Sequence, residues 1–300
     1  MGTVRQGLRR WLPIPSPGWV LPAFAAIWFT IVIVPLVVLL VFSFFQTQYF
    51  MTIYTPTLAT WEDLFASGRF EVTLRTLRIA MTVTGIELAI GFPFALWLAK
   101  GGASKGTRSL ILALLTIPFF LDLSSRIIVW RAILDEHGLV NVLLLRAHLI
   151  RAPLQWLLYT EWSVHFGMVV TYFPMMVLPI FLAISVIDDA LLQAAADLGA
   201  SPVRVLCDVI LPLSLPGILA GIVFTLGPAL AAWVEPSMLG GGFVNMLSNS
   251  VESAYSALRV PTVAALSAFV IVLLGALLCL FMVMARRVAN LGDSFRHMKS

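Results

Sequence analysis

The sequence predicts an all-α membrane protein of about six transmembrane helices, and three observations carry that reading. Of its 300 residues 60% are hydrophobic and only 11% charged, whereas soluble domains carry roughly 25% charged residues; mean hydropathy is +0.98. The apolar residues lie in runs long enough to cross hydrocarbon, which takes about 20 residues per helix. Those runs are continuous, unlike the alternating segments of roughly 10 residues that a barrel needs. Backbone groups in lipid must be satisfied within each segment, so continuous runs mean helices.

The first span, 19–45, follows Arg9 and Arg10 and is too long for the apolar region of a signal peptide, so it is expected to be retained. The others are expected at 74–98, 110–133, 163–187, 213–234 and 262–285. Asp122, Ser124, Ser125 and Arg126 interrupt the third, and Arg286 and Arg287 stop the sixth. With the N-terminus inside, the inner segments hold Arg5, Arg9, Arg10, Lys100, Lys105, Arg108, Arg204, Arg286, Arg287, Arg296 and Lys299. The outer connections and spans hold the remaining Arg residues, which places both termini in the cytoplasm. The net charge of +4 therefore sets orientation and is no sign of nucleic-acid binding. The expected division is a cytoplasmic segment 1–18, one membrane domain 19–287 carrying a cytoplasmic loop 188–212, and a cytoplasmic tail 288–300. Outside, 46–73 holds Trp61, Glu62, Asp63 and Phe65 in a short interfacial helix, 134–162 holds two short amphipathic pieces, and 235–261 must bend at Gly240, Gly241 and Gly242. Cys207 and Cys279 are too far apart in sequence and level to suggest a disulfide.

The stretch 191–221, LLQAAADLGASPVRVLCDVILPLSLPGILAG, is the most informative. Ala, Leu and Gln favour a helix over 191–198, and Gly199 suits the left-handed residue that ends one. Ser201 then caps a second helix that starts at Pro202 and is expected to end before Pro212. The product is a small helix-turn-helix against the cytoplasmic face. Residues 194–196 carry almost no side-chain bulk, so another backbone can pack closely. Physics alone leaves two readings: a tight hairpin joining two spans, or a rigid docking knob.

The loop resembles that of the permeases of binding-protein-dependent ABC importers, whose pattern runs E-A-A-x-x-x-G-A-S-x-x-x-x-F-x-x-I-x-L-P. Ala194, Ala195, Gly199, Ala200, Ser201, Ile210, Leu211 and Pro212 match in register, while Gln193 stands where the family has glutamate. A neutral Gln193 offers only uncharged hydrogen bonds, leaving Asp197 or Asp208 to supply charge. The 91–95 run GFPFA, Pro118 with Arg126 and Trp130, the 172–179 run YFPMMVLP, and Gly227, Pro228, Val234, Pro236, Leu239, Gly240 and Gly241 extend the resemblance toward permeases of the spermidine/putrescine type.

That resemblance implies a type I permease fold in a bacterial inner membrane and uptake of polyamine-like or other small cations. Another small solute, such as a metal ion, an anion or an opine-like compound, stays open. It implies Gln193, Ala194, Ala195, Asp197, Gly199, Ala200, Ser201 and Pro212 as the surface that meets an ATPase. The implied partners are two ATPase copies, a second homologous permease, an external solute-binding protein and the lipid bilayer, with no nucleic acid and no cofactor.

Charged groups inside spans are costly and face a cavity or a partner. Glu87, Asp122 and Glu235, with Tyr172 and Trp233, are the candidates for a solute pathway, because ammonium groups favour acids and ring faces. Each has a plainer reading: Asp122 and Arg126, four apart, can pair; Glu87 can hydrogen-bond a neighbouring span; the aromatics can pack. A membrane enzyme would need a metal or nucleophile cluster, and His137, His148 and His165 have no metal spacing. The Gly-rich 101–107 run lacks G-x-x-x-x-G-K-[ST] order, so ATP must bind elsewhere. An autonomous carrier or channel would leave the 191–221 loop unexplained.

Overall fold

A computed structural model describes residues 17–49, 51–66 and 69–297; most of the expected 1–18 segment and the end of the tail lie outside these residues. The chain is helical almost throughout: α1 (Pro17–Phe42), α2 (Ala59–Ala66), α3 (Arg69–Lys100), α4 (Lys105–Thr116), α5 (Leu123–Leu134), α6 (Leu139–Arg146), α7 (Glu161–Ser185), α8 (Asp189–Asp197), α9 (Pro202–Val205), α10 (Leu211–Ala231), α11 (Val234–Leu239), α12 (Leu247–Ser256) and α13 (Val260–His297). Five helices are long and apolar enough to cross a membrane, and the bent pair Lys105–Phe120 and Leu123–Arg146 makes up to six.

Three of these helices, α3, α7 and α10, pack together at the centre. Their apolar faces form two clusters. One holds Ile79, Val83, Met168, Tyr172, Leu226 and Leu230, and the other Leu98, Met176, Ile180, Ile184, Ile218 and Ile222. The α7–α10 contact is close because small residues line it. A Cβ on Gly217 would lie 2.4 Å from the Ala183 Cβ and 2.6 Å from the Pro179 carbonyl oxygen, and one on Gly221 2.9 Å from the Met176 carbonyl oxygen. Gly217 and Gly221 are a G-x-x-x-G pair, the spacing that lets two helix backbones approach in lipid. Outside this core α1 packs on α13, and none of its most apolar stretch is buried, as suits a lipid-facing helix.

Several sequence expectations need correction. The third span is not one helix. After α4 comes a 3-10 turn, Ile117–Phe120, with Pro118 as its second residue, and the chain bends by 105° before α5. Asp122 caps α5, accepting from the Ser125 amide at 2.9 Å. Its side chain is thus occupied, and among the described residues it makes no ion pair with Arg126. Nor does the second loop helix end before Pro212. A π-turn, Leu206–Ile210, carries it directly into α10, because the wider i+5 spacing accommodates proline's missing N–H. Arg286 and Arg287 end the apolar run but not the helix, which continues to His297.

Between α1 and α3 the expected short helix is α2, preceded by a two-stranded hairpin, β1 (Gln46–Gln48) with β2 (Met51–Ile53), pairing Gln46 with Ile53. The two amphipathic pieces of 134–162 are α6 and a 3-10 turn, Gln155–Leu157. The fully buried Asn141 ties them together, donating to the Asp135 and Leu154 carbonyls and accepting from the Leu154 amide. The glycine run bends as expected, with Gly241 at φ +58 and Gly242 at φ +84.

Candidate functional site

Two places bring the singled-out residues together. The first is the loop 188–212. Asp188 caps α8 through the Ala190 amide. The helix ends in a paired carbonyl closure: the Gly199 amide donates to Ala196 O at 2.8 Å and the Ala200 amide to Ala195 O at 3.1 Å. This closure needs a left-handed residue at Gly199, whose φ is +78. Ser201 then caps α9 by accepting from the Arg204 amide, with Pro202 opening the helix. Leu192, Val205 and Leu206 pack against the second apolar cluster, that of Leu98 and Ile180, to which the buried Ile210 belongs. Gln193, Ala194, Asp197, Gly199 and Ser201 stay exposed, Ala195 and Ala200 half-exposed. Leu198 is 89% exposed and Val203 70%. An apolar pair left outside a loop otherwise anchored by its own apolar residues is unusual for a plain hairpin.

Lys100, the last residue of α3, holds the start of this loop, and Arg108 of α4 holds the end of α7 that leads into it; the sequence reading missed both roles. Lys100 donates to the Ile187 carbonyl at 2.6 Å and pairs with Asp189. Arg108 donates to the Ser185 hydroxyl at 3.0 Å and lies 4.6 Å over the Phe181 ring. Both cations sit just outside the apolar runs, so in sequence they read only as orientation signals. A hollow of about 410 Å³ lies between turn and loop, lined by Lys100, Arg108, Asp189 and Gln193 among others.

The second place lies where the two core clusters meet. Glu87 on α3 is fully buried and accepts a hydrogen bond from the Thr225 hydroxyl of α10 at 3.1 Å. Glu235 on α11 is also fully buried. The hydroxyl of Tyr172 on α7, 4% exposed, is within electrostatic reach of both carboxyl groups and of Arg126 on α5. Of the candidate pathway residues, Glu87, Tyr172 and Glu235 therefore converge. Trp233, 48% exposed, stands beside Glu235 at the non-helical step between α10 and α11. Asp122 stays apart as a helix cap. Asn249 of α12 donates to the Trp233 carbonyl at 3.0 Å and the Ser237 hydroxyl at 2.7 Å, fixing that step from outside. Thr225 and Asn249 had no distinguishing pattern in the sequence, because their partners are 138 and 16 residues away.

A long-helix core with an exposed capped loop and a buried polar junction is the architecture of a polytopic helical membrane protein. The model of the family described as binding-protein-dependent transport system inner membrane component matches residues 91–290. The chain belongs to that family, as a multi-pass component of the inner membrane. It is 31% identical over 242 residues to the spermidine/putrescine transport system permease protein PotB of Salmonella typhimurium, covering 79% of this chain and 83% of that one. To PotB of Haemophilus influenzae it is 34% identical over 199 residues, 66% of this chain and 68% of the other. The fold matches a crystal structure of a bacterial ABC transporter involved in the import of the acidic polysaccharide alginate, with a TM-score of 0.68 and 20% identity, over 95% of this chain and 99% of that one.

Proposed function

We propose that this permease subunit imports polyamine-like small cations in an ATP-driven transporter, and that its loop 188–212 receives the force. The single observation that carries the coupling role is the loop's build. It is capped at both helices, held at its start by Lys100, and turned so that Leu198 and Val203 face outward with the small residues 194–196 beside them. An exposed rigid knob of this kind fits a groove in a partner. Gln193, Ala194, Ala195, Asp197, Gly199, Ala200 and Ser201 form the contact, and Pro212 ties it to α10.

The partner ATPase supplies two copies, and a second homologous permease completes the pathway. An external binding protein delivers the solute. In this arrangement both termini and the loop face the cytoplasm. The polyamine class rests on the two PotB relatives and on the acidic, aromatic junction of Glu87, Tyr172, Trp233 and Glu235. The test is uptake of labelled spermidine by cells that lack the chain and are complemented with it or with a variant lacking residues 194–202. Restored uptake with the first and none with the second, at equal membrane levels, supports the proposal. Equal uptake with both contradicts the coupling role, and no uptake with either contradicts the solute class.

A further inference from the structure

Six buried side-chain polar atoms among the described residues lack a hydrogen-bond partner, and four of them, Glu87 Oε1 included, belong to the junction already described. The other two, Thr47 Oγ1 and Trp61 Nε1, lie on the hairpin β1–β2 and on α2. Thr47 lines a hollow of about 330 Å³ together with Tyr49, Thr60, Asp63, Arg259 and Thr262. Arg259 and Thr262 also line a second hollow, of about 490 Å³, whose wall carries Asn245, Ser250 and Ser253. The two hollows therefore make one polar cleft with Arg259 between its halves. Val72, near the start of α3, lines the larger half, and Lys100 at the end of that helix holds the loop 188–212. At 1.5 Å per residue the two lie about 42 Å apart along α3. The cleft is thus at the end of the bundle away from the loop.

Arg259 is exposed and, among the described residues, makes no ion pair and no side-chain hydrogen bond. No acidic residue lines the larger hollow, so the guanidinium is the only charge in its wall. A carboxylate there would meet hydroxyl and amide groups and two parallel N–H donors. Asp63 bars an anion from the smaller hollow, and with Thr47 Oγ1 it favours an N–H or O–H donor instead. Two bulky residues beside the cleft hold left-handed backbone, Tyr49 at φ +50 and Leu258 at φ +56, a conformation that costs roughly 1–2 kcal/mol in a residue with a Cβ. Burial does not offset that cost, because Tyr49 is 96% and Leu258 65% exposed. The end of α12 imposes the turn at Leu258: the Leu258 amide donates to the Tyr255 carbonyl at 2.9 Å and the Arg259 amide to the Ala254 carbonyl at 3.0 Å. Glycine would make the same closure without strain. Tyrosine and arginine are enriched among the residues that carry the binding energy of protein interfaces, and here both stand exposed around a polar cleft.

We infer that this cleft is the docking site for an acidic turn of the external solute-binding protein, with Arg259 anchoring its carboxylate and Tyr49 and Leu258 packing beside it. Position and charge together select this occupant. The family is described as binding-protein-dependent. On the proposed function the loop 188–212 meets the ATPase, so the protein that delivers solute must approach the opposite end of the bundle, where the cleft lies. Its turn must bring a carboxylate for the larger hollow and a neighbouring donor for Asp63 and Thr47, and an exposed turn has N–H donors in its own backbone. The inference rests on the importer reading for its partner, while the cleft stands on this chain's own side chains.

The test is equilibrium binding of the labelled binding protein to the permease–ATPase complex in lipid nanodiscs. Arg259→Glu is expected to weaken binding roughly tenfold or more, and wild-type affinity to fall as salt is raised. Arg146→Glu, at an exposed arginine that lines neither hollow, is expected to leave affinity within about twofold of wild type. Leu258→Gly is expected to weaken binding severalfold while its unfolding midpoint holds or rises, because glycine relieves the strain. A merely structural Leu258 would lower the midpoint and leave binding unchanged. Among single Asp→Lys and Glu→Lys variants of the binding protein's surface, one is expected to bind the Arg259→Glu complex better than the wild-type complex. Unchanged affinity in Arg259→Glu, an equal loss in Arg146→Glu, or the lack of any compensating variant overturns the inference. So does an Arg259→Glu complex that binds normally but has lost co-purifying anionic lipid, which would put a lipid headgroup in the cleft. A wild-type complex that holds its ATPase yet recruits no binding protein overturns the importer reading, and this inference with it.

Discussion

Gly199 stands at φ +78 with open space where a Cβ would point, so its constraint is purely backbone conformation. A β-branched residue there costs on the order of 1–3 kcal/mol of local strain, while asparagine tolerates the left-handed region. Gly199→Val is therefore expected to remove most uptake with membrane levels unchanged, and Gly199→Asn to keep most of it; equal uptake by both variants would show that this turn does not carry coupling. This residue was legible in the sequence, because a glycine between an Ala-rich helix and Ser-Pro has few other reasons to be there. Glu87 was legible as a charge in a span, but its partner was not. The hydroxyl of Thr225 supplies its hydrogen bond from 138 residues away. Thr225→Val leaves a second buried carboxyl oxygen unsatisfied, at about 1–3 kcal/mol. Its thermal unfolding midpoint in detergent is expected to fall, and Thr225→Ser to restore it.

Among elements, the α7–α10 contact depends on backbones touching across Gly217 and Gly221. Gly217→Val forces the helices apart, for which overpacking costs are typically about 1–3 kcal/mol. Its unfolding midpoint should drop by several degrees, whereas Gly85→Ala, which points into open space, should not lower it. An equal effect of both would deny the close-approach role. Hydropathy located these helices, yet it treats glycine as neutral and so passed over their best packing signal. The broken third span shows the opposite limit. Asp122, Ser124 and Ser125 marked a disturbance, but the same residues serve as a helix cap, and only the bend separates the two outcomes. The hairpin of β1 and β2 was invisible because three-residue strands have no period to read. The clamp on the loop also acts at this scale. Lys100→Ala removes the bond to Ile187 as well as the pair with Asp189, so it should lower ATP-coupled uptake. Asp189→Asn should do little, since its side chain is 73% exposed and such pairs are weak.

For the whole molecule, the loop, the α3–α7–α10 core and the polar junction form one connected body. Leu192, Val205, Leu206 and Ile210 root the loop in the cluster of Leu98 and Ile180, and that cluster runs along α7 and α10 to the level of Tyr172 and Thr225. On the proposed coupling role, a push on the knob would reach the carboxyl groups through these packed helices. Composition made the membrane class plain, and the loop motif made the family plain. The junction of charged groups from α3, α5 and α11 around Tyr172 of α7 became visible only when the helices were folded together. The most direct test is to purify the tagged chain in mild detergent, with its 194–202 segment intact or altered, and assay the product for co-purifying ATPase. The account predicts that an ATPase and a second permease accompany the intact chain and that the ATPase is lost when the segment is altered. A chain that purifies alone, or one that keeps its ATPase with the segment altered, would contradict it.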